Sequence, residues 1–224
     1  MIRSRRAVIK TCLLAAALSC TMAAAAAAAT PAQIASFFRA VQLDNVAAVR
    51  DMVGKEVDAN AVNPVGGEPA LVLAVREGAM RVFDVLLAQP GIALDAQAMN
   101  GNTALMMAAF KNNRRAAEAL LAKGAQVNRA GWTPLHYAAA GGSEDIARLL
   151  IARQARLDAA SPRASGAYTP LMMAAREGQP AMVRLLLEAG ADPAPRNTEG
   201  LTAAQVAERA GRADIAAAIA GFKR

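Results

Sequence analysis

The sequence predicts an all-α solenoid of about six helix-turn-helix units joined by β-turn or hairpin fingers, and three observations predict it. A segment running Gly131-Trp132-Thr133-Pro134-Leu135-His136-Tyr137-Ala138-Ala139 recurs in altered form at 101–109 and 168–178, with weaker copies at 68–78 and 200–207. Taking the threonine slot as register, positions 69, 103, 133, 169 and 202 lie 34, 30, 36 and 33 residues apart. Each well-formed copy is followed by a second apolar stretch with leucines at helical spacing, as in Ile146–Ala152 and Met182–Ala189. Five copies in one register identify a stacked array.

Residues 1–29 are set apart from the array. Arg3, Arg5, Arg6 and Lys10 form a basic start, 11–19 an apolar stretch, and 23–29 offers several A-x-A cleavage sites, which together read as an export signal. Ser4-Arg5-Arg6-Ala7-Val8-Ile9-Lys10 resembles the twin-arginine pattern, with Arg5 and Arg6 as its pair. The general secretory route, a lipoprotein anchor on Cys20 and an uncleaved signal anchor are the alternatives. Cleavage near Ala29 predicts a periplasmic protein with no membrane insertion, and the Cys20 reading predicts a membrane-anchored lipoprotein.

Residues 30–66 read as a degenerate N-terminal capping unit, with Ile34, Phe37, Phe38 and Val41 on its first helix and Val46, Val49 and Val53 on its second. The central units occupy 67–200. In them Thr103, Thr133 and Thr169 sit where a hydroxyl caps a helix start, Pro69 takes that place in the first central copy, and Pro134 and Pro170 suit the first helical turn. The alanine pairs that follow let two helices approach closely. Gly124 and Gly190 close the second helices, since glycine takes the left-handed conformation a C-terminal cap needs. Residues 201–224 form the C-terminal capping unit, with Arg212, Lys223 and Arg224 at its polar end.

Thr133-Pro134-Leu135-His136-Tyr137-Ala138 matches T-P-L-H-x-A, and the chain resembles the ankyrin repeat, whose period is about 33 residues. The resemblance runs from about Gln33 to Phe222. It implies that His136, in the histidine slot, hydrogen-bonds the threonine and nearby backbone as a structural group. It also implies a concave wall and a row of fingers that bind proteins. Some exported bacterial ankyrin proteins that this chain resembles are linked to oxidant-handling enzymes, which implies an accessory role for an envelope enzyme of that kind.

Two spacings depart from the pattern. The 30-residue step comes from a short connection, 124–131, which predicts a stunted finger; the 36-residue step comes from the polar 157–167, which predicts a protruding one. The slot before each motif threonine holds Glu68, Asn102, Trp132, Tyr168 and Leu201, expected at exposed finger bases. The two slots after the alanine pair hold Arg76 and Glu77, Phe110 and Lys111, and Arg176 and Glu177, with Arg209 in the first slot of the last copy. Phe110, Trp132 and Tyr168 should then line one strip of the residue types that dominate hot spots. The competing reading makes Trp132 hydrophobic cover for its own repeat. Met106, Met107, Met172 and Met173 read as core.

Composition narrows the function. The whole chain carries +7, but the leader holds four of its 25 basic residues and none of its 18 acids, so the chain beyond it is about +3 and has little claim on nucleic acid. Cys12 and Cys20, the two cysteines, also lie in the leader, leaving no disulfide and no cysteine nucleophile beyond it. One histidine cannot build a multi-histidine metal site, and no glycine-rich phosphate loop is present. Glu77 and Glu177 lie several repeats apart, too far for a carboxylate pair. The sequence therefore reads as a monomeric, cofactor-free, non-enzymatic module with protein partners. A membrane-tethered structural component of the envelope is the alternative.

Overall fold

A computed structural model describes residues 29–223 of the chain. The predicted export signal, with Arg5, Arg6, Cys12 and Cys20, lies outside the described residues apart from its last position, Ala29.

Twelve α-helices, in six pairs, follow one another among the described residues. They are α1 Pro31–Gln42, α2 Val46–Met52, α3 Ala70–Glu77, α4 Met80–Leu87, α5 Ala104–Phe110, α6 Arg114–Ala122, α7 Pro134–Gly141, α8 Glu144–Ala152, α9 Pro170–Glu177, α10 Pro180–Glu188, α11 Ala203–Arg209 and α12 Ala213–Ala220. The first helices form one row, α1 against α3 through to α9 against α11, and the second helices form another behind it. This is the predicted solenoid.

The helix starts follow the motif chemistry. The hydroxyls of Thr103 and Thr169 accept from the amides of Met106 (3.4 Å) and Met172 (3.3 Å), and Pro134 and Pro170 stand at first helical positions. Thr202 and Thr30 do the same with reciprocal bonds to Gln205 and Gln33. Pro69 has no hydroxyl and caps nothing, and the first amide of α3, that of Ala70, donates instead to the Ala61 carbonyl (3.2 Å). First helices stop at left-handed residues, Gly78, Gly142 and Gly178 among them, and Asn112 serves the same turn with φ of 53°.

Burial explains why the rows stack. Ala108 and Ala109, Ala138 and Ala139, and Ala174 and Ala175 are all fully buried, so α5, α7 and α9 press together with almost no side chain between them. Larger groups fill the space between the rows: Phe83, Leu86, Leu105, Leu120, Leu135, Ile146, Leu150 and Leu171. Met106, Met107, Met172 and Met173 are core residues, between 0 and 8% exposed. The first helices, which form the inner row, contact one another more extensively than the second helices of the outer row do. No helix among the described residues is long and apolar enough to cross a membrane.

The two unusual fingers behave as their lengths demand. Backbone bonds close four fingers, from the amides of Asn63, Ala98, Ser161 and Asn197 to the carbonyls of Glu68, Asn102, Tyr168 and Leu201. Among the described residues no such bond closes the short connection after Gly124. The long one carries an exposed 3-10 turn, Arg163–Ser165, and meets the next finger through the amide of Thr198 on the carbonyl of Gly166 (2.9 Å).

Candidate protein-binding surface

The inner row presents the ends of the first helices to solvent. At those ends Arg76, Glu77, Phe110, Lys111, Arg176, Glu177 and Arg209 are all exposed, as their register predicts. The charged ones are mostly paired. Arg76 bridges Glu68 (2.9 Å) and Glu77 (3.0 Å), Arg176 bridges Glu177 (2.9 Å), and Arg209 pairs with Glu199. Burial pushes the Glu68 carboxyl up, with the Arg76 guanidinium opposing. Of the charged residues just named, only Lys111 has no ion-pair partner among the described residues.

Between the paired ends lies a cleft of about 280 Å³ bounded by Phe110, Trp132, Tyr137, Met173, Arg176 and Glu177, with His136 and Ala140 beneath. It exists because of what α7 lacks. The slots that hold Phe110 and Lys111 on α5, and Arg176 and Glu177 on α9, hold Ala140 and Gly141 on α7. A methyl on Gly141 would stand 2.5 Å from the Phe110 carbonyl oxygen, so α5 and α7 are in backbone contact there and nothing larger fits. The aromatic rings fill the walls edge to face: Phe110 to Tyr137 at 6.4 Å between centroids, Trp132 to Tyr137 at 6.3 Å and Trp132 to His136 at 5.2 Å.

His136 holds this wall in place. It is fully buried; the Thr133 amide (3.2 Å) and hydroxyl (2.9 Å) donate to Nδ1, and Nε2 donates to the Tyr168 carbonyl of the next repeat (2.9 Å). That set of partners fits only the neutral ring with its proton on Nε2. Burial holds its pKa down at about 4, and the bonds to the carbonyls of Tyr168 and Ala159 offset that only in part. These bonds to the threonine and to backbone are the ones the motif implies.

Three expected binding residues are placed differently. Tyr168, expected on the exposed strip, is 8% exposed. Its amide takes a bond to the Ser161 hydroxyl (2.9 Å), closing the long finger and drawing the ring inward beneath Arg176, whose guanidinium sits 5.1 Å from the ring centroid. Asn102 is half-buried and accepts from the Tyr137 hydroxyl, so it supports the aromatic wall from behind. Trp132 is also only half-buried: it packs on its own repeat and lines the cleft at once, so cover and contact are the same residue.

Register reasoning passed over Tyr137, which replaces Tyr168 in the wall. It fills the variable slot of the motif, where the neighbouring copies carry Met107 and Met173, so a tyrosine among methionines was the available signal. Val65 and Met99, 82% and 84% exposed on neighbouring fingers, were also passed over. An apolar residue inside a Pro/Gly turn, as in Pro64-Val65-Gly66-Gly67, marks the first of them.

With that geometry in place, comparison with known proteins places the array. A family model described as Ankyrin repeats (3 copies) matches residues 37–130, 71–161, 127–197 and 160–222, overlapping spans that run without a gap. Among curated proteins, the chain is 29% identical over 167 residues to the human Transient receptor potential cation channel subfamily A member 1, covering 70% of this chain and 15% of the channel. It is 37% identical over 123 residues to Ankyrin repeat and KH domain-containing protein mask-1 of Caenorhabditis elegans, covering 54% of this chain and 5% of that one. It is 33% identical over 132 residues to Tyrosine-protein kinase Shark of Drosophila melanogaster, covering 58% and 14%. The chain thus spans only a small part of the length of these relatives.

Proposed function

The chain belongs to the ankyrin-repeat family, whose repeats serve as protein-protein interaction modules, and from that premise we propose that it binds a partner protein through the inner row of first helices and the fingers beside it. The observation that carries this reading is the aromatic cleft of repeats three to five, bracketed by Arg–Glu pairs. Exposed Phe110 and half-buried Trp132 and Tyr137 are anchors of the type that dominates interfaces, and paired charges at the margin form a polar rim. Binding here is surface complementarity without chemistry, burying about 800 Å² per partner for an interface of standard size.

Affinity capture tests it, with the native chain run beside two variants shown by thermal melting to be folded. Phe110→Ala combined with Arg176→Ala removes inner-face groups; Arg148→Ala combined with Arg184→Ala removes groups of the outer row. A partner lost by the first variant and kept by the second is the expected result. The reverse pattern would overturn the reading.

The basic, apolar and A-x-A segments of residues 1–29 support export to a periplasm, by the twin-arginine route on the strength of Arg5 and Arg6. Replacing both with lysine should block export, and unimpaired export would remove that route. Cys20 supports the second reading, a tethered envelope component; detergent partitioning and the mass of the mature N-terminus separate the two. The accessory role for an oxidant-handling enzyme rests on resemblance alone, and the identity of the captured partner decides it.

A further inference from the structure

The cleft of repeats three to five has a chemistry that narrows its occupant. We infer that it takes one apolar side chain of the partner, presented in a segment with a carboxylate beside it that pairs with Lys111. This rests on the inner-face reading above and specifies which partner chemistry that face selects.

The floor offers a polar ligand nothing. Both nitrogens of His136 are used, Nδ1 by Thr133 and Nε2 by the Tyr168 carbonyl, and the Tyr137 hydroxyl is spent on Asn102. Arg176 is held between Glu177 and the Tyr168 ring. A polar group entering the cleft would lose its water and find only the Trp132 indole N–H and the charges of Arg176 and Glu177 as partners, whereas an apolar group would gain three aromatic faces and Met173. The volume, about 280 Å³, falls just under the roughly 300–1,000 Å³ of small-molecule sites and suits a single anchor side chain.

Charge selects the flank. An aromatic box can also hold a cation, but here Arg176 and Glu177 offset one another in the lining, and Lys111, just outside it, leaves a surplus of one positive charge beside the cleft. Lys111 follows Phe110 directly, is exposed, and has no ion-pair partner among the described residues. A lysine or arginine entering the cleft would meet that surplus, and a carboxylate next to an apolar anchor would satisfy it. The acid surplus of the inner face lies in repeat two, where Glu68 and Glu77 share Arg76, so the acidic flank belongs at the Lys111 side.

The test is a synthetic peptide array whose central residue is Leu, Met, Phe, Lys or Ala, each between acidic or basic flanks, read with fluorescently labelled native chain. Two folded variants are read beside it. Ala140→Phe fills the cleft at a slot that carries Phe110 and Arg176 in the neighbouring repeats, so the backbone accepts a large side chain there. Lys111→Glu reverses the flanking charge at an exposed site. Expected are selection of apolar centres with acidic flanks, signal at least about tenfold weaker with Ala140→Phe, and a shift to basic flanks with Lys111→Glu. Preference for lysine centres, no preference, or variants that select as the native chain does would overturn the inference. An inner-face partner captured as above alongside any of those results overturns this inference and leaves the binding-module reading standing.

Discussion

His136 couples the stability of the array to pH. Its pKa is about 4 in the folded chain against an ordinary value near 6.5, so between those values the unfolded chain binds the extra proton. Stability is therefore complete above about pH 6.5 and falls as pH drops toward 4, by on the order of 3 kcal/mol if the whole shift acts. Urea titrations at pH 7.5, 5.5 and 4.5 should show the native chain losing stability on acidification more steeply than His136→Met, the residue that two sister repeats carry in that slot. Equal slopes would mean that the histidine is not the titrating group. Gly141 is the second sensitive position. Alanine is ordinarily favoured over glycine in a helix by about 1 kcal/mol, but here its methyl meets the Phe110 backbone, which cannot rotate aside. Overpacking of that kind costs about 1–3 kcal/mol and should win; Gly141→Ala is expected to lower the melting temperature. The motif threonines and prolines were legible in the sequence because their work is local, at one helix start, and so was the bond of His136 to Thr133, whereas its bond to the Tyr168 carbonyl of the next repeat was not. Tyr168 was not, because its direction depends on Ser161 and the length of the finger between them.

At the scale of elements, the helices were legible and the links between repeats were not. Periodicity of leucine and alanine marks a helix within one repeat, whereas a side chain bonding to the next repeat leaves no local trace. The array carries such a series. The side-chain oxygens of Asn60, Asp95, Asn128 and Asp158 accept from the amides of Ala93 (2.7 Å), Gln126 (3.0 Å), Arg156 (2.8 Å) and Asp192 (2.9 Å), each in the following connection. Asn60 and Asn128 also donate to the Gly91 (3.0 Å) and Gln154 (2.7 Å) carbonyls. Asp44 makes a similar link from the first turn to the amide of Val82 (2.8 Å) and to Arg81; burial raises its pKa, but those bonds outweigh it and hold the carboxyl below its usual range. Asn128 sits in the stunted finger, which is otherwise tied by Arg129 donating to the Gly101 carbonyl (3.3 Å) and Arg156 donating to the Arg129 carbonyl (2.9 Å). Asn128→Ala should cost about 1–2 kcal/mol by urea unfolding, against about 1 for Asp158→Ala, which loses a single bond. Equal losses would indicate that the second bond contributes nothing in water.

On the scale of the whole array, contacts between repeats are concentrated between neighbours among the described residues, so stability should behave as a sum along the stack. The capping units test this most directly. α11 and α12 bury Ala203, Val206, Ala207, Ile215, Ala216 and Ile219, and they cover apolar side chains of α9 and α10. A chain ending at residue 200 would expose those side chains yet keep the contacts among α1 to α10. It should retain most of its helical circular dichroism and unfold with a urea m-value smaller by roughly a sixth, since the m-value follows the surface exposed on unfolding. It should also self-associate more readily than the full array, through the newly exposed face. Loss of all helix on truncation would mean instead that the six units fold as one cooperative body. Tethering of Trp132, Tyr137 and Phe110 to the same stack would then make the cleft dependent on the far end of the molecule, while near-neighbour coupling leaves it intact.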